Sequence, residues 1–132
     1  MIGLDTNVVV RYLTQDDPKQ SPIATRLMEK TLSSDEPGYI SLVVLAEVVQ
    51  VLVSLYFVDR AGVAEVVNGL LTTEQLRVED AELVWRAKRT YAASTADFSD
   101  ALIVESATAG SCKRSVTFDR RAASMSGFEL LT

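Results

Sequence analysis

The chain is 132 residues long, carries a net charge of −5, and has one cysteine and no histidine. That length suits one domain with its own core. The missing histidines exclude a Ser-His-Asp triad, a Cys-His pair and a histidine-rich zinc site, and the lone Cys112 excludes an internal disulfide. With 48 % apolar and 23 % charged residues the composition is that of a folded globular protein.

The first ten residues, MIGLDTNVVV, put an apolar strand, Ile2–Leu4, in front of Asp5, Thr6 and Asn7, and a helix starts at about Val8. Asp5 is therefore either a helix cap or one jaw of a site. QDDPKQSP reads as a loop or a helix entry marked by two prolines, and the apolar residues from Ile23 to Leu32 recur with a helical period. After the SSDEPG break, Tyr39–Ile40 reads as a second strand. Ser41 then caps a long apolar helix, SLVVLAEVVQVLVSLYFV. Glu47, Gln50 and Ser54 within it argue for a buried core helix rather than a membrane span. Asp59–Thr72 is a further helix, Leu76–Val78 a third strand, and Ala81–Ser94 an amphipathic helix with Leu83, Val84, Ala87 and Tyr91 on one face. TADFSDALIVESATAG reads as a helix ending at Gly110. Ser115–Thr117 is a fourth strand, FDRRAAS a turn, and Phe128–Leu131 the last strand.

Short strands alternating with helices predict an α/β protein with a parallel sheet, and such sheets form their sites beyond the carboxyl ends of the strands. Asp5, Glu47, Asp97, Asp100 and Asp119 all fall there in this scheme. Each has a structural alternative. Asp5 is a cap, and Glu47 joins Gln50 and Ser54 in a solvated stripe. One of Asp97 and Asp100 caps a helix while the other sits in its first turn, and Asp119 is a turn acid. A carboxylate in so apolar a helix as that around Glu47 is costly if buried alone, so it must protonate or find a cation. With no histidine, an all-oxygen donor set points to a hard ion such as Mg²⁺ or Mn²⁺, with metal-bound hydroxide as nucleophile. Four acids committed to metal would leave 14 acids against 13 basic residues, so the negative charge does not exclude a nucleic-acid substrate. Lys113, Arg114, Arg120 and Arg121 cluster around the last acid and are candidates for guiding a nucleic-acid backbone. Trp85 and Tyr91 read as core or dimer contacts, and Cys112 as a bystander.

GLDTNVVVRYL, the Glu47 after YISLVVLAE, DFSDALIVESA and VTFDRR, in that order, resemble the PIN domain, and within it the VapC-type toxin ribonucleases of toxin–antitoxin pairs. The resemblance spans nearly the whole chain. It implies one domain, residues 1–132, built as a three-layer α/β/α sandwich around a short parallel sheet. It implies a metal-dependent endoribonuclease using Mg²⁺ or Mn²⁺ and leaving a 5′-phosphate and a 3′-hydroxyl. By position, Asp5, Glu47 and Asp100 match the core acids, Asp119 the fourth, Thr6 the hydroxyl residue beside the first acid, and Asp97 a supporting acid or cap. It further implies an RNA substrate bound with help from Arg114, Arg120 and Arg121, a cognate antitoxin protein, a homodimer, and a cytoplasmic location with no membrane partner.

Two other classes compete. One is a catalytically silent PIN-like module that binds RNA or protein. The other is a receiver- or dehalogenase-like phosphoryl-transfer domain, but Asn7 stands where a dehalogenase needs a second Asp. Glu79 and Asp80 are a poor match to a receiver's acceptor.

Overall fold

The structure is a computed structural model describing residues 1–132. Its contacts divide the chain into two compact units, Met1–Glu79 and Asp80–Thr132. Both are built of parallel strands and helices, as the alternating pattern predicts. No helix is long and apolar enough to cross a membrane.

The first unit contains β1 (Ile2–Gly3), α1 (Thr6–Thr14), α2 (Gln20–Arg26) running on into a π-helical turn (Leu27–Thr31), β2 (Gly38–Ile40), α3 (Leu42–Tyr56), α4 (Arg60–Thr72) and β3 (Leu76–Val78). The three strands form a parallel sheet in the order β1-β2-β3, with Ile2 opposite Gly38, Gly38 opposite Leu76 and Ile40 opposite Val78. Gly38 is required by packing. A Cβ there would lie 2.8 Å from Leu32 Cδ1 and 2.9 Å from Leu4 Cδ1, both in the core. Parallel pairing sends every strand out at the same edge, so Asp5, Ser41 and Glu79 follow β1, β2 and β3 there.

α3 is a core helix on one side only, with the stripe of Glu47, Gln50 and Ser54 in solvent. Leu45, Val48, Val49 and Leu52 are buried, whereas Val43, Glu47, Gln50 and Ser54, spaced i, i+4, i+7, i+11, make an exposed stripe. The helix stops at Tyr56 because Phe57 turns into the left-handed region at φ 56°. Its start is doubly satisfied. The Ser41 hydroxyl accepts from the Val44 N–H, and the Glu79 carboxylate accepts from the Leu42 N–H at 2.9 Å. α4 begins after Asp59, whose carboxylate accepts from the Gly62 N–H.

The second unit contains α5 (Ala81–Ala92), α6 (Phe98–Ala109), β4 (Ser115–Thr117), a 3₁₀ turn (Ala122–Ser124) and β5 (Phe128–Leu130). Asp80 caps α5 from a left-handed conformation, φ 47°, with its carboxylate accepting from the Leu83 N–H. Leu83, Val84, Ala87 and Tyr91 are buried as their spacing predicts, and Tyr91 meets Phe98 of α6 edge-on at 5.6 Å. Trp85 is only half-buried, with the Lys88 ammonium over its ring. β4 and β5 pair in parallel, Val116 opposite Glu129.

Candidate nuclease site

Asp5 occupies the position of an N-cap, with extended backbone and with its carbonyl accepting from Val8 and Val9, yet its carboxylate makes no capping bond. The capping role is thus carried by the backbone alone, and the exposed side chain is left for other work. Beside it, the Thr6 hydroxyl donates to Glu47 Oε1 at 2.9 Å, linking α1 to α3. Glu47 is exposed, so of its two alternatives the structure takes the solvated stripe, and no buried carboxylate has to be neutralised. It does lie on the polar stripe with Gln50 and Ser54, but unlike them it is bonded to Thr6. Gln50 offers its carbonyl to the Ser54 hydroxyl within the helix.

In the second unit Asp97 stands at the N-cap of α6 and Asp100 at its third residue, where the Asp100 carboxylate accepts from the Asp97 N–H at 3.3 Å. Asp119 follows β4. Its N–H donates to the Thr117 hydroxyl and its Oδ1 accepts from the Arg121 N–H. Burial pushes the Asp100 carboxyl above its ordinary pKa, and the charges of Asp97 and Asp119 push it further. The Asp97 N–H and the Arg121 guanidinium pull the other way without restoring it. Asp100, at the helix start, therefore feels the charges of Asp97 beside it and of Asp119 after β4.

The basic residues separate into roles. Arg114 is held by Glu129 at 2.8 Å, and the Arg121 guanidinium donates to the Thr95 carbonyl, while Arg120 is exposed and makes no hydrogen bond or ion pair. Two acids earn structural roles that the sequence reading did not assign. Glu79 serves α3 and Asp80 serves α5, so the acids a receiver-like reading would use are both committed as caps.

No group of three or more acidic or cysteine side chains stands assembled as a metal centre. The donor chemistry nonetheless fits a hard divalent ion. Every candidate ligand is a carboxylate or hydroxyl oxygen, and Asp100 carries the strain of like charges that a cation would relieve.

Parallel strands, helical connections and acids at strand ends define an α/β protein. The chain matches the PIN domain over residues 2–127, and it belongs to the PIN domain family. No curated protein matches it.

Proposed function

We propose that the chain is a metal-dependent endoribonuclease and the toxin of a toxin–antitoxin pair. The observation that carries the reading is Asp100, a partly buried carboxylate pushed up by burial and by the charges of Asp97 and Asp119, although Asp97 and Asp100 also form the capping box of α6. The free carboxylate of Asp5 and the Thr6–Glu47 bond support it. Structural acids are placed to be satisfied, whereas functional ones are held at a cost to stability.

In this reading Asp5, Glu47, Asp100 and Asp119 hold Mg²⁺ or Mn²⁺, with Asp97 in support. The bound ion supplies Lewis acidity, lowering the pKa of water and balancing the charge that grows on the phosphate. Thr6 fixes the rotamer of Glu47, and the Asp97 N–H fixes one oxygen of Asp100. Arg121, anchored on Thr95, moderates the negative field that a phosphodiester meets on approach.

The cognate antitoxin is assigned to the apolar groove between α1 and α2. This groove has a volume of about 240 Å³ and is lined by Asn7, Val8, Arg11, Ile23 and Leu27. Its first two residues follow directly on Asp5 and Thr6, so a segment seated there reaches Asp5. A homodimer is assigned to the exposed apolar residues of α3. α4 presents no large exposed apolar side chain.

The test is cleavage of a mixed single-stranded RNA by the purified chain with Mn²⁺, with Mg²⁺ and with chelator, beside Asp100→Asn. Cleavage that needs the ion and disappears in the variant is the expected result. Equal cleavage in all arms identifies a contaminant, and no cleavage by the wild type under either ion overturns the reading.

A further inference from the structure

Phe118 stands between Thr117, the last residue of β4, and Asp119, and it is 80 % exposed. A solitary exposed apolar residue needs no explanation, but three features set this one apart. Its backbone is pinned on the C-terminal side. The Asp119 N–H donates to the Thr117 hydroxyl, Asp119 Oδ1 accepts from the Arg121 N–H, and the Asp119 carbonyl accepts from the Ala123 N–H. The ring is thus presented from a fixed turn. Second, the residue that follows it is an acid whose charge reaches Asp100. Third, Arg120 is exposed and unpartnered, although the chain as a whole is acidic.

The segment itself is basic, although Glu129 neutralises Arg114 and the charges of Asp97 and Asp119 meet at Asp100. Residues 113–121, KRSVTFDRR, hold four basic residues and one acid in a protein of net charge −5. An aromatic set within a basic run matches the chemistry of single-stranded nucleic acid, in which bases stack on rings and phosphates seek arginines. Phe57 is 86 % exposed but lacks this setting, since it ends α3 and the acid two residues on, Asp59, is committed to capping α4.

We infer that Phe118 is a stacking platform for one unpaired base of a single-stranded RNA, with Arg120 taking a neighbouring phosphate. Together they lay the strand beside Asp119. The choice of RNA rests on the nuclease reading above. A base in a duplex keeps both faces stacked and cannot reach the ring, so the platform selects unpaired substrate.

Binding of a fluorescently labelled, unstructured 12-nucleotide RNA, measured by anisotropy in chelator so that nothing is cut, tests this. Phe118→Ala should weaken binding about 5- to 150-fold. Phe118→Trp should restore it, and neither change should move the dependence of affinity on salt. Arg120→Ala should lower the slope of log affinity against log salt by about 0.7. Affinity for the same RNA annealed to its complement should not respond to Phe118→Ala.

Three results overturn the inference: wild-type affinity in Phe118→Ala, an equal loss on single strand and duplex, or a change in oligomeric state with RNA affinity intact, which would make Phe118 a contact with a second copy. Absence of any RNA binding by the wild type overturns it as well. The nuclease reading fails separately. Ion-dependent cleavage with unchanged Phe118→Ala affinity removes the platform alone, and Phe118-dependent binding without cleavage removes the nuclease alone.

Discussion

The Thr6 hydroxyl donates to Glu47 Oε1 across 2.9 Å, joining two residues 41 positions apart in the chain. The bond is exposed, so its net worth to stability is small, about 0.5 kcal/mol or less. Its consequence is orientation. A glutamate on a solvated helix face samples several rotamers, and the hydroxyl holds one of them.

Thr6→Val keeps the side chain's shape and removes the donor. Its melting temperature should stay within a degree or two of wild type, while RNA cleavage falls about tenfold or more through loss of positioning. Thr6→Ser should recover most of the rate. A loss of rate matched by Thr6→Ser would show that the methyl group, not the hydroxyl, matters.

Asp100→Asn separates function from stability in the opposite direction. The asparagine oxygen still accepts the Asp97 N–H, so the start of α6 keeps its bond. The substitution removes a partly buried charge that Asp97 and Asp119 oppose. Cleavage should drop by about 10³-fold or more, with thermal stability at neutral pH equal to or above wild type. A clearly lowered melting temperature would make Asp100 a structural acid.

Much of this was legible in the chain. β3 and β4 lie where the apolar runs and breakers put them, and Ser41, Asp59 and Gly110 mark helix ends as their chemistry requires. α1 begins at Thr6, two residues earlier than the apolar run indicates, because the polar pair Thr6–Asn7 fits an exposed first turn. The exposed face of α3 was legible only as one of two alternatives, the stripe of Glu47, Gln50 and Ser54, since apolar residues such as Val43 and Leu55 are exposed as well and periodicity alone cannot choose. The commitment of Arg114 was not legible, because its partner Glu129 is set by β4 pairing with β5. The cap that Glu79 supplies to α3 depends in the same way on the β2–β3 register.

Acid should destabilise the first unit through the α1–α2 connection. The Tyr56 and Thr14 hydroxyls hold the Asp16 carboxyl below its ordinary value of 3.8, and the N–H groups of Gln20 and Lys19 do the same for Asp17. A folded-state pKa below the unfolded one contributes stability at pH above 3.8 that is lost as the pH falls through the folded value. Melting temperature should therefore fall on acidification below about pH 4. Asp17→Asn should make that fall shallower, and an unchanged acid limb would show that these bonds do not persist in solution.

Gly38→Ala tests the sheet's tightest approach. The added methyl would meet Leu32, Leu4 and Leu76 together, at 2.8, 2.9 and 3.1 Å. All three are core residues, so relieving one contact presses another. Overpacking of this kind costs about 1–3 kcal/mol, read as a lower denaturant midpoint at unchanged slope. A wild-type midpoint would mean that the three leucine ends rearrange freely.

The α3 edge provides the test of self-association. Val43 is 70 % exposed and Leu55 69 % exposed, one near each end of a 15-residue helix. Side chains of this size left in water along one element make a surface that a second copy can cover. Leu55 is neither a candidate catalytic residue nor a core residue, so Leu55→Glu should leave the fold intact. Sedimentation at micromolar concentration should show a dimer for the wild type and a monomer for the variant. Val43 shares its stripe with Glu47 but Leu55 lies off it, so cleavage per chain should survive the Leu55→Glu change. If both proteins sediment as monomers, the exposed apolar residues of α3 serve some contact other than self-association.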